Sequence, residues 1–312
     1  MKIFCHIPRE NWFGDRYGAE YKVHSGHSVT HSDLNCDLIW LLANWCWKQI
    51  PQQVLQNKKV VCTIHHIVPE KFNDASKYDF ALRDRFVDAY HVPCKKTKDF
   101  ISQYTKKPIH EICYWVNPDM WPMHNKQEMK NVYSLPTNKL IIGSFQRDTE
   151  GSDLITPKLE KGPDKFCDYV ENIKNSGVEP FVLLNGWRRQ YVISRLKNAN
   201  IDFFYKELPP LDEVSKMYSA CDLYVVGSRY EGGPQSILEC GVSKVPIVST
   251  DVGIAKNILP DNCIFDVGKN CDVYFPTKQD IEHAYSNSLK YDIKKHVKEY
   301  DKLFENIVGG LV

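Results

Sequence analysis

Ser228-Arg-Tyr-Glu-Gly-Gly-Pro-Gln-Ser-Ile-Leu-Glu239 is the stretch that decides how this 312-residue chain is read. A strand-like run, Asp222-Leu-Tyr-Val-Val226, leads into it, and two carboxylates bracket a Gly-Gly-Pro turn that opens another apolar segment. The pattern predicts a strand, a tight loop and a helix whose first turn can receive an anion. Gly232 and Gly233 permit close backbone approach, and Pro234 suits the first helical position, where its missing N–H costs nothing. Glu231 then lies just before the helix and Glu239 roughly 7 Å along it, at about 1.5 Å per residue. One extended ligand can touch both acids. The plain alternative is a pair of solvent-facing charges on a helix cap, since acids are favoured there anyway.

Outward from this stretch, strand-like runs recur at 139–144, 181–184, 201–205, 222–226, 246–249 and 263–266, with helical spacing at 164–176, 189–198, 212–219 and 234–242. Such alternation predicts parallel βα packing. Towards the amino end, residues 2–7, 37–43, 60–64, 87–92 and 109–114 are candidate strands of a first unit, with a helix near 95–105. Turn residues in 117–138 interrupt the rhythm and place a domain junction there, giving domains of 1–120 and 121–290. A last segment, 281–308, has helical spacing of apolar residues.

Charge is balanced, 40 basic against 39 acidic side chains, which argues against a surface built to wrap nucleic acid. The 11 cysteines are scattered without a Cys-x-x-Cys pair, which reads as a reduced, cytoplasmic protein. Met1-Lys-Ile-Phe-Cys-His-Ile-Pro8 reads as a first strand and not as a signal peptide. The most apolar window, Leu38 to Trp47, is too short to cross a bilayer. No metal-ligand spacing is present, and adjacent His65 and His66 would point to opposite faces of a strand, so a shared ion is awkward.

The Glu231-x7-Glu239 spacing, with Gly232-Gly-Pro234 inside it, resembles the signature of glycosyltransferase family 4, the retaining nucleotide-sugar enzymes also called glycosyl transferases group 1. The likeness continues through Ser249-Thr-Asp-Val-Gly253 and back to Ile142-Gly-Ser-Phe-Gln-Arg147 and Pro157-Lys-Leu-Glu-Lys-Gly-Pro-Asp164. It spans most of residues 139–260. It implies an α/β protein of the GT-B fold, two Rossmann-like domains facing across a cleft, with a helix at about 291–312 packing back on the first. The implied enzyme is a hexosyltransferase of glycan biosynthesis that needs no metal or other cofactor. Its donor would be a UDP- or GDP-sugar, and its acceptor a hydroxyl of a glycan, a lipid-linked molecule or a small molecule. Peripheral membrane contact, and a monomer or homodimer, stay open.

By the same resemblance, Arg147 and Lys161 grip the diphosphate, with Lys158 a rival to Lys161 because the polar insert 148–157 lengthens the spacing. Glu231 meets the donated sugar, Glu239 the ribose, and the backbone of Gly232, Gly233, Pro234, Gln235 and Ser236 the distal phosphate and sugar. In the first domain, Glu10-Asn-Trp-Phe-Gly14-Asp-Arg-Tyr-Gly18 resembles a glycine-bearing loop that approaches the donor phosphate, with Gly14 as the candidate contact. One of His65 and His66 would face the reacting sugar, His65 being favoured. A non-catalytic sugar-nucleotide or glycan-binding module of the same fold is the alternative, distinguished by whether nucleotide diphosphate is released. A phosphorylase-like enzyme is disfavoured by the short chain and the lack of a pyridoxal-lysine context.

Overall fold

The computed structural model describes residues 1–7, 13–266 and 272–311, which divide into two compact units: Met1–Trp115 with Ile293–Val312, and Val116–Asp292. The first unit contains β1 (Lys2–His6), α1 (Phe13–His24), β2 (Ser28–Thr30), β3 (Leu38–Leu41), α2 (Gln52–Asn57), β4 (Lys59–Thr63), α3 (Asp74–Asp84), β5 (Ala89–Val92), α4 (Lys95–Ile101) and β6 (Ile109–Glu111). Its six strands are all parallel, in the order β2-β1-β3-β4-β5-β6. Every residue of β3 and β5 is buried, as expected of parallel strands covered on both faces.

The second unit begins with α5 (Lys126–Val132) and β7 (Leu140–Ser144). There follow α6 (Pro163–Asn175), β8 (Pro180–Asn185), α7 (Gln190–Asn198), β9 (Asp202–Lys206), α8 (Leu211–Ala220) and β10 (Leu223–Val226). It closes with α9 (Gln235–Val242), β11 (Ile247–Thr250), α10 (Ala255–Ile258), β12 (Ile264–Phe265) and α11 (Lys278–Ser288). Its sheet is also parallel, in the order β12-β11-β10-β7-β8-β9. The expected pair of Rossmann-like parallel sheets is therefore present.

Several boundaries differ from the sequence reading. The helical spacing over 281–308 is divided between α11, in the second unit, and α12 (Ile293–Gly309), in the first. Residues 112–114, expected in a strand, lie beyond β6. The strand before His65 ends at Thr63, so both histidines sit in the loop that follows β4. Gly14 and Gly18, expected in a loop, lie in α1; Glu10, Asn11 and Trp12 are outside the described residues. Gly18 is there for packing, because a Cβ would stand 2.2 Å from the Ile7 side chain.

Aromatic packing explains how α1 and α12 are held to the first sheet. Tyr17 stacks on Trp115 at 3.5 Å and gives its hydroxyl hydrogen to Tyr300 at 2.8 Å. Tyr21 donates to Asp301 at 2.8 Å, and the Trp115 indole donates to Glu20. A buried Glu and a buried Asp are thereby satisfied by donors within the unit.

Candidate functional site

In the second sheet, β7 lies between β8 and β10, so successive connections leave it in opposite directions. The loops beyond the carboxyl ends of β7 and β10 flank that switch point, the usual ligand position in an open parallel sheet. These two loops carry Arg147, Lys158 and Lys161 on one side and Glu231 on the other.

Backbone contacts set the two loops against each other. Gly162 has φ +58°, and a Cβ there would stand 1.7 Å from the Gly227 carbonyl oxygen. The Arg229 and Tyr230 amides both donate to the Glu160 carbonyl, at 2.9 and 3.1 Å. Arg229 forks onto Asp164, Nη1 to Oδ1 at 2.7 Å and Nη2 to Oδ2 at 2.6 Å, a bidentate geometry that fixes orientation as well as distance. The Gly162→Ala variant is therefore expected to lose about 2–3 kcal/mol of stability through a strained φ and an overfilled contact. A urea midpoint equal to wild type would show that the two backbones can separate at no cost.

The polar insert does not carry Lys158 away from Arg147. Thr149 and Pro157 form an antiparallel bridge, the Lys158 amide donates to the Asp148 carbonyl at 2.8 Å, and Asp153 caps the intervening turn through the Ile155 and Thr156 amides. Burial lowers the pKa of the Lys158 ammonium, Glu160 works against that shift, and the positive charges of Lys161 and Arg147 add to it. Arg147 is likewise lowered, by burial first and by Arg188 next. These cations thus lie near enough to repel one another. Lys158 pairs with Glu160 at 3.4 Å, and Lys161 donates to Glu231 Oε1. Ser228, which is fully buried, places its hydroxyl 3.4 Å from the same Glu231 oxygen.

The two glutamates are not helix-cap charges. No side chain caps α9 and its first turn holds no acid; Pro234 occupies the N-cap position, one residue earlier than its expected place. Glu239 is 5 % exposed and accepts a 2.9 Å hydrogen bond from the Tyr218 hydroxyl. Gly232, Gly233 and Pro234 lead into α9, which Gln235 and Ser236 begin, and Gly253 closes on Gly232, where a Cβ would meet the carbonyl oxygen at 2.4 Å. The structure thus brings Arg147, Lys158, Lys161 and Glu231 to one edge of the sheet, with Glu239 further along α9.

In the first unit the histidines separate. His65 is buried, with Nε2 2.7 Å from the Leu42 carbonyl and Nδ1 hydrogen-bonded to the Tyr114 hydroxyl, so protein groups engage both ring nitrogens. His66 lines a cavity of about 480 Å³ with Trp45, Lys71, Phe72, Asp79 and Arg83. Gly14 lies buried in the first turn of α1.

Sequence reasoning missed the turn after β8. Gly186 and Arg188 have φ of +95° and +61°, and between them Trp187 stands half exposed, with the guanidinium carbons of Arg147 and Arg188 5.3 and 5.2 Å from its ring centre. Arg189, next in line, is buried against Asp148 at 3.1 Å and the ends of β7 and β8. An aromatic residue flanked by Gly and two Arg at a strand's carboxyl end was the available signal. Among the described residues no cluster of His, Cys, Asp and Glu is arranged to hold a metal ion, and no helix is long and apolar enough to cross a membrane.

The family model for glycosyl transferases group 1 matches residues 157–274, which include Lys158, Lys161 and both glutamates. No curated protein sequence matches the chain. Among solved structures, it is similar to Anabaena HepE in complex with UDP and glucose, at 12% identity and TM-score 0.76, over 98% of this chain and 100% of that one. It is also similar to sucrose-phosphate synthase from Thermosynechococcus elongatus, at 14% identity and TM-score 0.69, over 98% and 81% of the two chains. A glycosyltransferase from Rickettsia africae matches at 13% identity and TM-score 0.65, over 97% and 84%. The two-sheet α/β architecture is that of the GT-B fold.

Proposed function

We propose that the chain is a retaining glycosyltransferase of family 4 that moves a hexose from a UDP- or GDP-sugar to a hydroxyl of a glycan, lipid-linked or small-molecule acceptor. The observation that carries the reading is the meeting of Arg147, Lys158, Lys161 and Glu231 beyond the carboxyl ends of the neighbouring strands β7 and β10, beside the amino end of α9. A diphosphate is the ligand chemistry that crowded cations beside a helix amino end suit. The group 1 match and the UDP-bound HepE structure support the same choice.

In this proposal Arg147 and Lys161 hold the diphosphate, with Lys158 behind them, and the Gly232–Ser236 backbone meets the distal phosphate and sugar. Lys161 and Glu231 pair with each other. A bound donor separates them, Lys161 turning to phosphate and Glu231 to sugar hydroxyls, while Glu239 takes the ribose. The anomeric C–O bond breaks with its electron pair going to the phosphate oxygen, where the cations stabilise the growing charge. The acceptor oxygen attacks from the same face, and its proton passes to the departing phosphate. No metal enters these steps. In the first unit, the His65 ring is fixed by Leu42 and Tyr114, and His66 lines a cavity with Trp45.

Incubation with UDP- and GDP-sugars and an acceptor panel, in EDTA, tests the reading. Release of nucleotide diphosphate with a matching mass increment on an acceptor is the expected result. Tight nucleotide binding without release would make the chain a binding module.

A further inference from the structure

The turn after β8 carries a second guanidinium to the proposed diphosphate site and a ring that holds the first. Resting on the proposed function, we infer that Arg188 is a further diphosphate-binding residue and that Trp187 is a positioning residue for Arg147. A left-handed φ at a residue other than glycine costs roughly 1–2 kcal/mol, so something must hold Arg188 at +61°. Its carbonyl accepts from the Asp148 amide at 3.2 Å and from the Thr149 hydroxyl at 3.3 Å. The residues immediately after Arg147 thus clamp the turn that presents Trp187 and tie the two loops together.

Arg147 is held at two points. Its Nε donates to the Thr149 carbonyl at 2.7 Å, and its guanidinium lies against the Trp187 ring. Among the described residues its two terminal nitrogens make no hydrogen bond, and they are the pair that a phosphate accepts in a fork. Arg188 lies against the same indole, only 8 % exposed; one terminal nitrogen donates to the Gly151 carbonyl, and its Nε is buried with no partner. A buried guanidinium nitrogen without an acceptor is costly, and so are two like charges sharing one ring. An anion at this edge relieves both. The mutual repulsion is consistent with the lowered pKa of Arg147.

Titration calorimetry with UDP, GDP and uridine tests this, with each variant's urea midpoint as the folding control. Arg188→Asn, which tolerates a left-handed φ, is expected to weaken the nucleoside diphosphate that wild type prefers about tenfold, the scale of one charged hydrogen bond, and to leave uridine unchanged. Trp187→Ala is expected to weaken it about fivefold, with Trp187→Phe restoring most of the loss. In an Arg147→Ala background, Trp187→Ala should cost clearly less than it does in wild type, an outcome that a merely structural tryptophan would not give. Wild-type affinity in folded Arg188→Asn and Trp187→Ala overturns this inference alone. A wild-type protein that binds neither UDP nor GDP overturns the donor-site reading, and this inference with it.

Discussion

Arg147→Ala and Lys161→Ala are each expected to slow sugar transfer about a hundredfold, the effect of losing roughly 3 kcal/mol of charge stabilisation in the transition state. Both side chains sit on loops beyond strand ends and not in the core. Lys161 has one recorded carboxylate partner, Glu231, and Arg147 is anchored through its Nε and an aromatic face. Removing either leaves the sheet intact, so circular dichroism and the urea midpoint should stay near wild type while kcat falls. Lys158 decides the assignment. It lies close enough to repel Lys161, so near-normal turnover in Lys161→Ala together with a large loss in Lys158→Ala would exchange their roles.

The second large effect separates the two acids. Glu239→Gln keeps the size of a buried side chain and its contact with Tyr218, yet it weakens an ionic acceptor. If Glu239 holds the ribose, affinity for free nucleotide diphosphate falls roughly tenfold, the cost of exchanging a charged hydrogen bond for a neutral one. Glu231→Gln behaves differently because its proposed partner is the donated sugar. Free nucleotide diphosphate should bind near normally, or slightly better once Lys161 loses its counter-charge, while transfer falls about a hundredfold. Calorimetry of the free nucleotide and turnover of the full donor, measured on both variants, check this. The reverse pattern would exchange the two roles, and no effect in either would remove both acids from the site.

The second unit was legible because its chemistry and its periodicity agree. Strands such as Leu223–Val226 are short apolar runs, and α6, α7 and α8 place polar and apolar residues at helical spacing, so local pattern and burial point the same way. The first unit hid α1, whose Gly14 and Gly18 argue locally against a helix. Its buried face is made of Tyr17, Tyr21 and Glu20, whose hydroxyl and carboxylate partners lie far along the chain. Tertiary packing there overrides propensity. Strand β2, three residues long, offered too little pattern to find.

The site was legible where it depends on spacing and hidden where it depends on backbone conformation. Glu231 and Glu239 stand out because one loop and one helix place them. Arg188 and Trp187 did not, because nothing local announces that Arg188 takes a left-handed φ, and without that φ the indole would not meet Arg147. The surroundings of His65 were hidden for a similar reason. The strand ends at Thr63, and the loop turns the ring onto Leu42 and Tyr114.

The most direct test of the central claim is proton NMR of the first product formed from an anomerically pure α-linked UDP- or GDP-hexose, followed in real time in the presence of EDTA. The account predicts an α-linked glycoside on the acceptor hydroxyl, appearing in step with one equivalent of nucleotide diphosphate. A β-linked product, or no transfer from any donor across the acceptor panel, would contradict it.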